Sequence, residues 1–146
     1  MATNVQVVID CADPAALARF WAATLGYEVQ PPPPGHDSWE SFLESIGVPR
    51  SEWNSASAVV DPAGAGPRIY FQQVPERKAA KNRVHLDLNV GGGRALPLAE
   101  RQRRVDAEVE RLTALGAREL ARHHDERFDE SNVVMADPEG NEFCLQ

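Results

Sequence analysis

The chain has 146 residues, of which 42% are hydrophobic and 25% are charged, a balance typical of a globular domain. Fifteen basic and 22 acidic side chains give a net charge of −7, which disfavours contact with phosphate backbones and anionic membrane surfaces. No basic, apolar leader opens the sequence, and no stretch approaches the ~20 apolar residues of a membrane span. We therefore expect one cytoplasmic domain over residues 1–146 that binds neither nucleic acid nor membrane.

The first half of the sequence carries strand and helix signals in alternation. A β-branched run at residues 5–10 predicts a strand, and Asp13-Pro14 after it is typical of a helix N-terminus. Apolar residues at helical spacing continue to Gly26, a helix-ending glycine, after which Tyr27-Glu-Val predicts a second strand. Residues 56–61 and 68–74 predict a hairpin. The pattern is β-α-β-β-β over residues 4–74.

An insertion at residues 31–55 interrupts this first half. Four consecutive prolines open it, and residues 38–53 predict a short amphipathic helix. Trp39 and Trp53 lie in the insertion, where their rings either cover a ligand or attach the insertion to the body of the protein.

The second half repeats the order of the first after a charged linker at residues 75–82. Residues 83–90 predict a strand, and a helix begins before Arg101 and ends at Gly116. Residues 117–122, 132–136 and 142–146 predict three further strands, and His123 and His124 are expected in a loop between the first two of them. Residues 83–146 therefore form a second β-α-β-β-β module.

Alternation along the strands predicts which side chains share a face. Apolar residues at alternate positions of residues 5–9, 84–90 and 143–145 should pack on the helices. Polar groups then collect on the opposite face. They include Gln6, His85, Asp87, Glu142 and Cys144, and the apolar Val8 lies on the same face. An imidazole, carboxylates and a thiol on one face indicate a small-molecule pocket, whereas the alternative is a solvated face of an open sheet.

The paired modules and three segments, ARFWAATLGYEV, VPERKAAKNRVHLDLNV and VVMADPEGNEFCL, resemble the vicinal-oxygen-chelate superfamily and its glyoxalase-like subgroup. The resemblance covers nearly the whole chain. It implies an α+β fold in which two βαβββ modules pair into an incomplete barrel around a concave ligand cavity. It also implies a homodimer.

Metal-dependent members of that superfamily place one ligand on each of four strands, and the resemblance can be followed position by position. Gln6 and His85 match the usual His or Gln and the usual His. Phe71 stands where a carboxylate is usual, and Cys144 stands where a glutamate is usual. A phenyl ring cannot bind a metal, and a thiolate suits zinc better than an oxygen-rich site.

The candidate site residues, together with what the resemblance implies, leave three functions open. The first, which we favour, is a protein that binds a small hydrophobic or aromatic molecule without a metal or other cofactor. The second is a metal-dependent lyase, isomerase or dioxygenase that uses a divalent ion held by Gln6, His85 and Cys144. The third is a metal-free enzyme in which His85 performs acid–base chemistry with Asp87 or Glu142. The expected pocket residues are Gln6, Val8, Trp39, Trp53, Phe71, His85, Asp87, Glu142 and Cys144. Whether a reaction is catalysed stays open at this point.

Overall fold

The computed structural model describes residues 1–146 and divides into two compact units, Met1–Arg77 and Lys78–Gln146. Each unit contains a four-stranded mixed sheet with a helix packed on one of its faces. The α+β class predicted from the sequence is confirmed. None of the helices has the length and apolar character needed to cross a membrane.

The first unit is built as β-α-β-β-β, with the insertion between its second and third strands. Its sheet has the order β1-β4-β3-β2, in which β1 pairs parallel with β4 and the other pairs are antiparallel. The elements are β1 Val7–Cys11, α1 Pro14–Leu25, β2 Glu28–Val29, α2 Trp39–Ser45, a 3-10 turn Arg50–Glu52, β3 Ala56–Val60 and β4 Ile69–Gln73.

The second unit repeats this topology. Its sheet has the order β5-β8-β7-β6, and the first strand, β5, again pairs parallel with the last strand, β8. The elements are β5 Asp87–Leu88, α3 Leu98–Ala114, β6 Arg118–Asp125, β7 Glu130–Ala136 and β8 Glu142–Leu145. The internal repeat expected from the sequence is present in the order and the pairing of the strands.

Local sequence sets both ends of α1. The Asp13 carboxylate accepts a hydrogen bond from the backbone N–H of Ala16 at 3.1 Å, and Pro14 occupies the first helical turn. Gly26 ends the helix with φ of 69°, a left-handed conformation that glycine adopts without strain. Leu17, Phe20 and Trp21 are the large side chains that this helix buries against the sheet.

Two strands are shorter than the sequence predicts. Val5 is 71% exposed and β1 starts at Val7, because its partner β4 starts at Ile69, directly opposite Val7. Val84, expected to pack on the helix, is 82% exposed, because β8 starts at Glu142 and leaves residues before 85 without a neighbouring strand. Strand length is therefore set by the partner strand as well as by β propensity.

His123 and His124 lie within β6, which extends to Asp125, and not in a loop as expected. They pair with Asn132 and Ser131 of β7. The antiparallel β6–β7 ladder continues to Glu130, so the connection is the short segment 126–129.

Phe71 lies on the face of the first sheet that packs on α1. It is 0% exposed, and its neighbour in β1 is Ile9, whose side chain is on the same face. Tyr70 faces the other way, opposite Val8. The expectation that Phe71 shares a face with Gln6 and Val8 is therefore corrected: the aromatic residue of β4 on that face is Tyr70.

The linker residues 78–82 are attached to the second sheet through one carboxylate. Oε2 of Glu142 accepts a hydrogen bond from the backbone N–H of Asn82 at 3.1 Å and pairs with Nζ of Lys78 at 3.0 Å. Burial raises the pKa of Glu142, but its hydrogen bonds and the positive charge of Lys78 together outweigh burial, and the net result is a pKa below the ordinary value of 4.5.

Replacing Phe71 by Ala should lower the free energy of unfolding by about 3–5 kcal/mol, because it leaves a cavity in a fully buried site. Tyr70→Ala, one position away on the opposite face, should cost less than half as much. Denaturant titration of the two variants measures the difference. Equal losses would contradict the assignment of Phe71 to the helix-packed face.

Glu142→Gln should lower the free energy of unfolding by about 1 kcal/mol at neutral pH, because it removes the charge that the linker binds. A carboxyl group with a lowered folded-state pKa stabilises the fold above the unfolded-state pKa. The stabilisation is lost as the pH falls below 4.5 and through the folded-state value. Thermal unfolding of both proteins between neutral pH and pH ~3 should therefore show converging midpoints.

Glu126→Gln is the matched control for this experiment, because Glu126 is exposed and its carboxylate has no hydrogen bond or ion pair. It removes the same charge from the same unit. A pH dependence equal to that of Glu142→Gln would show that net charge, and not attachment of the linker, causes the effect.

Candidate functional site

The pairing of β5 with β8 forms the centre of the candidate site. Asp87 lies directly opposite Cys144 in the parallel register, so their side chains share a face. This is the face opposite α3, since the neighbouring residues Phe143 and Leu145 are buried on the helix side. We call the surface formed by His85, Asp87 and Cys144 the open face of the second sheet.

His85 and Asp87 form a hydrogen-bonded pair on this face. Nδ1 of His85 lies 2.8 Å from Oδ1 of Asp87, and the two side chains are 39% and 41% exposed. A carboxylate accepts and does not donate, so Nδ1 carries the proton of this bond. In the neutral ring, Nε2 then has a free lone pair for a proton or a ligand.

Cys144 completes the cluster from the neighbouring strand. Burial raises the pKa of its thiol, and the negative charge of Asp87 and a hydrogen bond to that carboxylate raise it further. The thiol is thus protonated at neutral pH and is not an activated nucleophile. Asp87 accepts hydrogen bonds from two neighbours, the imidazole and the thiol.

The polar residues two positions before and after Cys144 make hydrogen bonds to residues outside the His85–Asp87 pair. The Glu142 carboxylate binds Lys78 and the backbone of Asn82, so it is not the partner of His85. Gln146 donates from Nε2 to Oδ1 of Asn89 at 2.9 Å. Of the two acid–base partners considered for His85, the structure brings Asp87 next to it.

In the first unit, the corresponding face carries Gln6, Val8 and Tyr70. Oε1 of Gln6 accepts a hydrogen bond from Nη1 of Arg68 at 2.8 Å, and the Arg68 guanidinium lies 5.2 Å from the centre of the Tyr70 ring. Val8 is half exposed beside Tyr70. This face therefore offers an amide, an arginine and an aromatic ring, with Arg68 and Tyr70 absent from the sequence prediction.

The two tryptophans of the insertion are held by local contacts. Nε1 of Trp39 donates to the backbone oxygen of Gln30 at 2.7 Å, and Nε1 of Trp53 donates to that of Val48 at 2.9 Å. Arg50 lies over the Trp53 ring at 5.2 Å. The Trp39 contact fits the alternative in which a ring attaches the insertion to the body of the protein, whereas the Trp53 contact lies within the insertion.

His85, Asp87 and Cys144 also form a donor set of the kind that binds metals. One ligand atom from each lies within 4.8 Å of the others. Nitrogen, oxygen and sulfur ligands suit zinc better than manganese or magnesium, which prefer oxygen. The sequence prediction named Gln6 with His85 and Cys144, whereas the structure supplies Asp87 as the third donor. Alternation along β5 could have shown this, since Asp87 follows His85 by two positions.

Comparison with solved structures finds the same fold in distant proteins. The chain matches a glyoxalase/bleomycin resistance protein/dioxygenase family enzyme from Burkholderia phytofirmans PsJN at 18% identity, with a TM-score of 0.59, covering 96% of this chain and 94% of the other. It also matches FosX, a fosfomycin resistance protein from Listeria monocytogenes, complexed as a variant with Mn(II) and 1S,2S-dihydroxypropylphosphonic acid. That match has 13% identity and a TM-score of 0.64, and covers 100% of this chain and 92% of the other.

A possible glyoxalase from Bacillus cereus matches at 12% identity and a TM-score of 0.61, covering 100% of this chain and 99% of that chain. No curated protein matches the sequence at a significant level. The sequence model of the glyoxalase-like domain, however, matches residues 6–146, which includes both units. The chain therefore belongs to the glyoxalase-like domain family.

Proposed function

We propose that this protein binds a small molecule on the open face of the second sheet, and that the His85–Asp87 pair holds that molecule without a resident metal ion. The observation that carries the proposal is the 2.8 Å contact between Nδ1 of His85 and Oδ1 of Asp87. It fixes the ring and its tautomer and leaves Nε2 for a ligand. Both side chains are exposed enough to be reached from solvent.

The chemistry of this face favours a ligand that donates a proton or a hydrogen bond. Nε2 of His85 accepts it, and Asp87 stabilises the positive charge that develops on the ring. The Cys144 thiol donates its hydrogen to Asp87, so its sulfur offers a ligand only a weak acceptor. A hydroxyl group or another weak acid is the class of group that matches these atoms.

The hydrophobic or aromatic ligand expected from the sequence is modified accordingly. Phe71 is buried on the helix-packed face of its sheet, so it adds no aromatic surface to the face that carries Gln6 and Val8. Val134, opposite Cys144, supplies an apolar neighbour. We propose a polar molecule with a small apolar part.

His85→Ala should weaken binding of such a molecule at least tenfold, about 1.4 kcal/mol, because it removes the acceptor and leaves Asp87 without its main partner. The measurement is an NMR screen of small hydroxyl-bearing acids and phenols, with hits titrated into both proteins. Resonances of residues 85–89 and 144 should shift first. Asp87→Asn should weaken binding as well, since the amide no longer fixes the tautomer of the ring.

His123→Ala is the control, because His123 is an exposed histidine of the same unit with no side-chain hydrogen bond. It should leave the affinity unchanged. Hits that bind wild type and His85→Ala equally would overturn the proposal, as would a screen whose shifts avoid β5 and β8.

A second candidate function is supported by the grouping of His85, Asp87 and Cys144 within 4.8 Å. These residues would hold zinc, which when bound supplies a Lewis acid that polarises an oxygen of the substrate. The protein's own contribution would be to orient the imidazole and to release the Cys144 proton. The metal-free proposal is preferred because this chain has Phe71 and Cys144 at the positions where the family resemblance implies carboxylate ligands.

Zinc titration by calorimetry, on protein purified without a histidine tag, separates the two functions. The metal-free proposal predicts no stoichiometric high-affinity binding to wild type, and the same weak background for His85→Ala and Cys144→Ser. Tight one-to-one binding that both variants abolish, and that His36→Ala in the first unit retains, would replace the proposal with the zinc site.

A further inference from the structure

A polar groove lies between α3 and the second sheet, and its lining does not include His85, Asp87 or Cys144. Two adjoining cavities form it, one of about 270 Å³ and one of about 350 Å³. Gln102, Val105 and Ser131 line both. The groove thus runs between α3 and the β6–β7 ladder, and we call it the α3 groove.

Several polar side chains in the α3 groove have no partner in the protein. Gln102, Ser131 and Asn132 are half buried, and their side chains make no hydrogen bond with other residues. Asn89 and Gln146 bond to each other through one amide atom each, which leaves the second atom of each amide available. Half-buried polar groups of this kind are satisfied by water or by a ligand.

The charged side chains along the groove are neutralised in pairs. Arg94 pairs with Glu130, and Arg101 pairs with Asp129 while donating to the backbone oxygen of Leu96 at 3.1 Å. A charged ligand would have to break one of these pairs. The unpaired groups are amides and a hydroxyl, which both donate and accept hydrogen bonds.

His124 adds one oriented acceptor at the other end of the groove. Its Nδ1 lies 3.1 Å from the backbone oxygen of Glu130. Because a carbonyl oxygen only accepts, Nδ1 donates and Nε2 of the neutral ring is left free. His124 lines the second cavity together with Gln102 and Ser131.

We propose that the α3 groove is a second binding site, which takes a neutral small molecule with adjacent hydrogen-bond donors and acceptors, as carboxamides and vicinal hydroxyl groups have. The size of the cavity lined by Asn89 and Gln146 supports a ligand, because its volume of about 270 Å³ is several times the ~30 Å³ occupied by one liquid water. It is close to the lower limit of about 300 Å³ for ligand pockets, so the ligand is fragment-sized.

The test is ¹H–¹⁵N NMR titration of the full chain with two probes, nicotinamide for the carboxamide chemistry and myo-inositol for the vicinal hydroxyls. One probe should shift the backbone resonances of residues 101–105 and 130–132. The probe that does so shows whether the site takes carboxamides or vicinal hydroxyl groups. Gln102→Phe, which fills the groove, should weaken that binding at least tenfold.

Ala107→Phe is the matched control, since Ala107 is an exposed residue of the same helix that lines neither cavity. It should bind as wild type does. Ser131→Val gives a second variant if Gln102→Phe perturbs the fold. It should also weaken binding, because it replaces a hydroxyl group of the groove by an alkyl group. His85→Ala should have no effect, which separates this site from the open face. Absence of shifts with both probes at millimolar concentration, or binding that survives both groove variants, would overturn the proposal.

Discussion

The parallel pairing of the first and last strands of each unit is the constraint on which the candidate site depends. In the second unit it sets Asp87 opposite Cys144, although the helix and two strands separate them in the sequence. Because side chains alternate along a strand, this one register fixes the whole row. A shift of one residue would send His85 and Asp87 to the helix side and bring Leu86 and Leu88 to the open face.

The contacts on the open face orient groups more than they stabilise the fold. His85 and Asp87 are each about two-fifths exposed, so water screens their attraction and their contribution to stability is small. The value of the pair is that it selects one tautomer and one ring position. Glu142 differs, because its side chain is 15% exposed and its two donors hold the linker to the sheet. Of these two carboxylates, Asp87 thus orients a neighbouring ring and Glu142 attaches a chain segment.

The sequence predicts most of the elements because their signals are local. Asp13-Pro14 and Gly26 set the ends of α1 through backbone capping, and alternation places His85, Asp87 and Cys144 on one face. The errors are all non-local. Phe71 is assigned to the wrong face because that assignment follows the family alignment and not the pairing of β4 with β1, and the length of β5 depends on where β8 begins. The partners of Trp39 and Trp53 are backbone oxygens, which no side-chain pattern reveals.

The two units share one topology but differ in the side chains on the sheet face opposite the helix. In the first, Val8 and Tyr70 occupy the position that Asp87 and Cys144 occupy in the second, next to a Gln6–Arg68 contact where the second has His85. Gln6, Val8 and Arg68 supply an amide, an alkyl group and a guanidinium, whereas His85, Asp87 and Cys144 supply an imidazole, a carboxylate and a thiol. The second unit presents an imidazole hydrogen-bonded to a carboxylate, whereas the first presents an arginine next to an aromatic ring. One topology thus carries two chemically different faces, because side chains on a sheet face can change while the strand pairing that positions them stays the same.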